Sequence, residues 1–453
     1  MMTFIDKYIM PAAVKLGNNR HLLAIRDTLI GMIAITILGS FAVLFNNLGQ
    51  IIKPYGRLME SIFGPTWTTL GNDISFGTFA FMTIFAVFGI SYKLAKSYGD
   101  DGFEAMLISA ACFFLLLPQM GLVSLTVDNK VVSGEAAGFI STNYFNATAL
   151  FTGIAVALIA TEIFVRLSRL KFLVINMPEG VPPAVGRSFA KLIPGMATIF
   201  IIGVFGLLFR IVTDGQIVND WLSKVIVSPM QGAVDSLPFA ILLVFFVHIL
   251  WMVGLHGPNI LGGITTPLFE SSGVKNIDLY AKGITDMDQY GVLAGSFLDA
   301  FVYLGGSGGT MGLIIAMIIA GRRRYKQMIG LGGAPGLFQI NEPILFGLPI
   351  VLNPIWLVPF VLGPIITTVI SYLAVSNGLV FPIVAKIPWV TPPIVGGFLA
   401  TGGHVSGAIL AGINLVISTV IYLPFVYAQV KIDSKNSKTK TELTKDDSET
   451  VSL

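Results

Sequence analysis

Asn341-Glu342-Pro343-Ile344-Leu345-Phe346-Gly347-Leu348-Pro349-Ile350-Val351-Leu352-Asn353-Pro354 sets the terms on which this chain can fold. One carboxylate opens a run that is otherwise apolar, and glycine or proline interrupts that run every few residues. An ionised Glu placed in hydrocarbon costs on the order of 2.5–3.5 kcal/mol on insertion scales, so it must face a partner, a cavity or water. Pro343 suits the first position of a helix, where its missing N–H is no loss. Asn341 and Glu342 are then expected at a helix N-terminus, where the dipole favours negative charge.

The rest of the chain has the same solvent problem. Of 453 residues, 54% are apolar and 12% charged, and the mean hydropathy is +0.80. Soluble domains carry roughly 25% charged residues, so water cannot be the main solvent. The formal charge of +3 is small and gives no footprint for nucleic acid. Cys112 is the sole cysteine, which excludes an internal disulfide framework or a cysteine metal cluster. The 49 glycines and 23 prolines exceed what a bundle of plain helices needs. Membrane transporters tolerate them where broken helices line a cavity.

Apolar stretches of about 20 residues, the length that crosses a bilayer, recur at 28–48, 76–92, 103–120, 147–165, 193–212, 237–254, 291–320, 354–374 and 402–426. A tenth is expected from 379–399 or 344–352. The expectation is an all-α, polytopic membrane protein with about ten transmembrane helices. Lys93 and Lys96, then Arg166, Arg169 and Lys171, then Arg322, Arg323, Arg324 and Lys326 each follow a span. The positive-inside bias assigns these ends, and with them both termini, to the cytoplasm. The loop 121–146 has one basic residue, Lys130, and fits the outside.

Four segments follow from this pass. Residues 1–25 space Phe4, Tyr8, Ile9, Ala12, Ala13 and Leu16 as an amphipathic surface helix, with no cleavable signal. Residues 26–215 read as continuous spans. Residues 216–427 are broken repeatedly by Gly and Pro, which survives at membrane depth only beside protein or a wet cavity; the transport site is expected there. Residues 428–453 mix Lys, Asp, Glu, Ser and Thr and read as a disordered cytoplasmic tail.

Within the broken half, Trp251-Met252-Val253-Gly254-Leu255-His256-Gly257-Pro258-Asn259 ends an apolar span. A carboxylate, an amide and an imidazole together grip hydroxyls well, because Glu accepts while Asn both donates and accepts. Trp251 and Trp389 offer flat apolar faces to pyranose C–H groups. His256, framed by Gly254, Gly257 and Pro258, reads as a site residue ahead of a core histidine. His248 is as readily a satisfied core histidine, and Glu162 a helix-packing pair. Gly305-Gly306-Ser307-Gly308-Gly309-Thr310 is a small-residue turn that permits close approach to a ligand or a helix. It is no nucleotide loop, since no Gly-Lys-Ser/Thr follows. No zinc-type His-Glu-x-x-His and no Gly-x-Ser-x-Gly elbow occurs, so neither metal nor cofactor is expected. Composition and periodicity alone leave two sugar carriers open. One is a phosphotransferase permease; the other is a proton-coupled secondary sugar symporter with Glu342 and His256 as its relay.

Five motifs decide between them. Asn341–Pro354, Trp251–Asn259, Gly305–Thr310, Pro388-Trp389-Val390-Thr391-Pro392-Pro393 through Gly403, and Met177-Pro178-Glu179-Gly180-Val181 through Val185 stand in an ordered set. Together they resemble the lactose/cellobiose/diacetylchitobiose IIC subunits of the phosphoenolpyruvate-dependent sugar phosphotransferase system, over nearly the whole chain. Gln339 departs from the pattern, since many relatives have Asn there.

The resemblance implies the phosphotransferase IIC fold, with two re-entrant hairpins, in a bacterial inner membrane. It implies a homodimer joined through the first five spans, in contact with membrane lipid. It implies a sugar held by His256, Asn341 and Glu342, with Trp251, Trp389, Asn259 and Thr310 around it. Glu342 and His256 are the residues expected to take part in phosphorylation of the sugar at C6. The phosphoryl donor is expected on a cysteine of a separate IIB protein, fed through enzyme I, HPr and IIA. This chain would thus be one component of a transferase complex. The lactose members usually carry a fused IIB domain, which tilts the expected substrate toward cellobiose or another β-glucoside.

Overall fold

Asn19 starts the first complete helix by accepting main-chain hydrogen bonds from His21 and Leu22, and Arg20–Gly31 follows. Helix dominates from there on in the computed structural model, which describes residues 11, 14–15, 18–127, 130–175, 177–178, 186, 189–252, 254–348, 350 and 354–450. The amphipathic helix expected in 1–25 and most of the Met177–Val185 motif lie outside the described residues.

Two compact units divide the chain, and they interleave along it. The first holds Met1–Ser236, Pro258–Gly295 and Val384–Lys386; the second holds Leu237–Gly257, Ser296–Ile383 and Ile387–Leu453.

In the first unit, Met82–Ser97, Gly102–Leu115 and Leu150–Leu167 pack on one another. Small residues let them close. Ala86, Ala95, Ala105, Ala157 and Ala160 are fully buried, and a methyl added at Gly153 would stand 2.5 Å from Thr83. Asp101 caps Gly102–Leu115 by accepting from the Phe103 N–H at 2.9 Å. The sole departure from an all-helical chain among the described residues is the antiparallel pair Met120–Val127 and Lys130–Ala137, in register from Met120↔Ala137 to Val127↔Lys130. It falls in the loop expected outside. Gly257–Ala281 is a 25-residue helix that hydropathy did not pick out, because Pro267, Glu270 and Lys275 interrupt its apolar run.

In the second unit, Leu237–Met252 packs on Pro354–Ser376, and Thr310–Gly321 packs on the helix Val405–Thr450. That last helix runs on through the segment expected to be a disordered tail, where side chains from 432 onward lie outside the described residues. The apolar stretch 291–320 is not one span. Phe297–Phe301 and Thr310–Gly321 are separated by the glycine-rich turn.

Five described helices are long and apolar enough to cross a membrane: Thr69–Ser97, Ala147–Leu167, Leu192–Val212, Ile355–Ser376 and Val405–Lys431. The pair Arg20–Gly31 and Ile33–Gly49 is long and apolar enough only when taken together, and it is bent by 44°, the geometry of a broken span or a re-entrant loop. Gly102–Leu115, Leu237–Met252 and Thr310–Gly321 are shorter apolar helices. Neither segment expected to give a tenth crossing is long enough: Glu342–Gly347 has 6 residues and Pro393–Ala400 has 8. Proline and glycine stop both before they span.

Candidate functional site

Gly305–Thr310 is the frame on which the second unit's candidate residues are mounted. Gly305, Gly306, Gly308 and Gly309 all have positive φ, from 63° to 99°, a region that residues with a Cβ rarely enter. Space is short as well. A methyl on Gly308 would stand 2.2 Å from the Phe360 ring, and one on Gly306 would stand 2.6 Å from Asn341 Cγ.

A turn without helical hydrogen bonds leaves polar backbone groups that must be satisfied inside an apolar unit. Buried side chains do this here. The Gly308 N–H donates to His248 Nε2 at 2.8 Å, and Tyr422 donates to Gly308 O at 2.8 Å. Ser418 donates to Gly309 O at 2.9 Å, Thr310 to Gly305 O at 2.5 Å, and Asn341 Nδ2 to Ser307 O at 2.5 Å. Since His248 Nε2 accepts, its proton sits on Nδ1 and is donated to Val244 O at 2.6 Å. His248 is therefore a satisfied core histidine with no exposure.

Asn341 and Glu342 lie where the sequence predicts, at a helix start. Glu342–Gly347 begins at Glu342, and Pro343 takes the second position rather than the first. Asn341 precedes the helix but its side chain makes no cap hydrogen bond, because the amide is turned toward Ser307. Asn341 is buried, whereas Glu342 is exposed and makes no hydrogen bond or ion pair among the described residues. Thr310 is fully buried and spends its hydroxyl inside the turn.

Gln339 joins this start to two further segments. Its backbone is left-handed at φ 64°, and its buried side chain donates to Asp299 O at 3.1 Å and to Thr391 O at 2.9 Å. Thr391 closes a turn on Pro388 O through its N–H (3.0 Å) and its hydroxyl (2.6 Å). Trp389, half exposed, stands in that turn. In the sequence Gln339 stands out only as a departure from the family pattern. Its bridging role depends on a fold that brings residues 299, 339 and 391 together.

Trp251 and His256 meet directly. Leu237–Met252 ends in a left-handed Gly254 (φ 79°), with Gly254 N–H bonded to Trp251 O at 3.0 Å and Leu255 N–H to Leu250 O at 2.9 Å. This reversal brings the His256 ring to 4.5 Å from the Trp251 ring, centroid to centroid. Gly257 fixes the turn further, since a methyl there would collide with Val247 O at 2.1 Å. Trp251 is buried and its indole N–H has no hydrogen-bond partner. Asn259 belongs to the first unit, where its carbonyl accepts from Arg26 at 3.3 Å. Glu162, also in the first unit, accepts from His21 at 2.8 Å, from the Tyr98 hydroxyl and from Arg166 at 3.0 Å, so it is a helix-packing carboxylate.

In chemical terms, the second unit offers an uncommitted carboxylate, a half-buried imidazole tilted at 47° against an indole, and a half-exposed indole. Those groups suit a neutral ligand that has both hydroxyls and apolar faces.

Comparison with known proteins agrees. Residues 26–364 match the family described as "Phosphotransferase system, EIIC". The chain is 36% identical over 424 residues to the lichenan permease IIC component of Bacillus subtilis (strain 168), covering 93% of this chain and 92% of that protein. It is 33% identical over 487 residues to the cellobiose-specific EIIC component of Lactococcus lactis subsp. lactis (strain IL1403), covering 95% and 98%. Its fold is similar to the crystal structure of the transporter ChbC, the IIC component from the N,N'-diacetylchitobiose-specific phosphotransferase system. There the TM-score is 0.88 at 35% identity, over 96% of this chain and 99% of that one.

Proposed function

This chain belongs to the phosphotransferase-system EIIC family, a membrane permease family that moves sugar in cooperation with a IIB protein, and from that premise we propose its substrate, its chemistry and its topology. The substrate is a β-linked disaccharide, cellobiose or a related β-glucoside. Support comes from relatives whose names specify lichenan and cellobiose, each matched over more than nine-tenths of its length.

One observation carries the site reading: Asn341 is committed to the glycine turn while the adjacent Glu342 is committed to nothing. Glu342 accepts hydrogen bonds from sugar hydroxyls. Asn341 Oδ1 and His256 add further contacts, and Trp251 and Trp389 offer their ring faces. Thr310 contributes by holding the turn. After a rigid-body shift carries the sugar inward, the C6 oxygen attacks the phosphorylated cysteine of IIB. The new O–P bond forms as the S–P bond breaks, the hydroxyl proton passes to Glu342, and the cysteine thiolate leaves. IIB is recharged through enzyme I, HPr and IIA.

In this reading residues 26–215 join two copies into a homodimer and 216–427 carry the sugar. Apolar side chains exposed on Leu192–Val212, such as Phe200, Leu207 and Ile211, suit contact with lipid or a second copy. Both termini lie in the cytoplasm of a bacterial cell, on the side of Lys93, Arg166 and Arg322.

The test is a reconstituted assay with phospho-IIB and cellobiose. Glu342→Gln should lower sugar phosphate formation by about 100-fold or more, the range for loss of a general base, with no change in melting temperature. Normal phosphorylation by that variant removes Glu342 from the site, and delivery of free sugar by the unsubstituted protein removes the coupling.

A further inference from the structure

The first unit contains a polar cavity of about 500 Å³ that the sugar site of the second unit does not use. Its walls come from the C-terminal halves of Ile33–Ile51 and Gly257–Ala281, from Thr69–Phe79, and from the segment before Leu150–Leu167. Side-chain amides dominate it, and they are held in pairs. Asn46 Nδ2 donates to Asn72 Oδ1 at 2.9 Å and to Thr68 O at 2.9 Å. Asn146 Nδ2 donates to Asn143 Oδ1 at 3.3 Å, while Asn146 Oδ1 accepts from the Thr148 N–H at 2.9 Å. The first pair thereby keeps complementary functions for a ligand, the carbonyl of Asn46 and the NH2 group of Asn72, and the second keeps the NH2 group of Asn143.

The Asn46 amide is set by a close approach, since a methyl at Gly71 would lie 2.3 Å from its Oδ1. Phe76 and Phe79 supply apolar wall beside the amides. Charge is nearly cancelled, because Lys282 pairs with Asp278 at 2.5 Å and leaves Lys275 as the remaining cation of the lining.

Paired amides that present both donors and acceptors, next to aromatic rings and with little net charge, match a neutral polyhydroxylated ligand. A metal ion would need carboxylates, and a phosphate would need several cations. The cavity stands at the helix ends opposite Lys93 and Arg166, the basic ends that the charge rule places inside. We propose that it is a second saccharide site, an outward-facing vestibule that captures β-linked sugar before transport. The proposal rests on the reading of this chain as a β-glucoside permease, but not on the role given to Glu342.

Cys112 is buried, so a single introduced thiol can report on the cavity in the full-length protein in cells. Thr142→Cys, at an exposed wall residue that supplies none of these ligand groups, should react with a membrane-impermeant maleimide. Cellobiose at about five times its dissociation constant should slow that reaction about sixfold by simple occupancy, both in the native background and with Glu342→Gln. Sucrose should not slow it. The double variant Asn46→Leu with Asn72→Leu should abolish the protection while leaving the thiol accessible, which shows that the variant is folded and inserted. Protection that vanishes with Glu342→Gln overturns the proposal, because it assigns the effect to a conformational change driven from the other site. So does labelling that cellobiose never slows. Sugar phosphate formation by Glu342→Gln is read separately, so the two readings fail by different results.

Discussion

Leu192–Val212 and Gly305–Thr310 both have to survive in an apolar solvent, and they do so by opposite means. The helix closes every interior backbone hydrogen bond within itself and can leave Phe200, Leu207 and Ile211 exposed. The turn closes few of its own, and imports donors and acceptors from His248, Asn341, Ser418 and Tyr422. A self-satisfied element tolerates change one residue at a time. A turn satisfied from outside is only as stable as its weakest partner, and all four of these partners are buried. That is how a rigid glycine turn becomes the mount for Asn341 and hence for Glu342.

The contrast is broken most directly at the turn. Gly308→Ala forces a Cβ onto a backbone at φ 89° and into the Phe360 ring. It should cost about 3 kcal/mol or more, seen as loss of the monodisperse protein on size-exclusion in detergent. Next comes His248→Leu, which strands the Gly308 N–H in a dry core and should destabilise by about 1–3 kcal/mol. Heating curves should fall accordingly, and uptake with them. Leu207→Ala in the exposed face of Leu192–Val212 should change stability by about 0.5 kcal/mol or less. Equal losses for His248→Leu and Leu207→Ala would mean that the turn is solvated by water and not by these side chains.

The same contrast explains what could be read from the sequence. Continuous spans such as Leu192–Val212 and Leu237–Met252 were legible almost to the residue, because their structure is encoded locally in an apolar run. The start at Glu342 was legible too, from Pro343 and the charge beside it. The break inside 291–320 was visible as Gly305–Thr310, yet the stretch still passed as one span by hydropathy. The helix Gly257–Ala281 was hidden by Pro267 and Glu270, whose tolerance depends on neighbours distant in sequence. Glu270, for instance, is paired with Lys386. Site residues followed the same rule. Trp251 and His256 are five apart and could be associated, while the bridge made by Gln339 and the commitment of Asn341 to Ser307 needed the fold.

Gln339 gives the finest test, because two effects of similar size oppose each other there. Its left-handed backbone at φ 64° disfavours a long side chain, and Asn enters that region several times more readily. Gln339→Asn should therefore relieve backbone strain. It also shortens the side chain by one methylene, and the amide then loses its reach to Asp299 O and Thr391 O. Each of those buried bonds contributes about 0.5–1.5 kcal/mol, so two of them outweigh the relief. The expected result is a stability lower by about 1 kcal/mol and a looser Trp389 turn. The half-saturating cellobiose concentration in uptake should rise about threefold at unchanged maximal rate, the signature of lost uniform binding. A higher melting temperature for Gln339→Asn would show instead that strain dominates at this position. The Trp389 turn would then be held by its own bonds to Pro388 rather than by the residue that leads into Asn341 and Glu342.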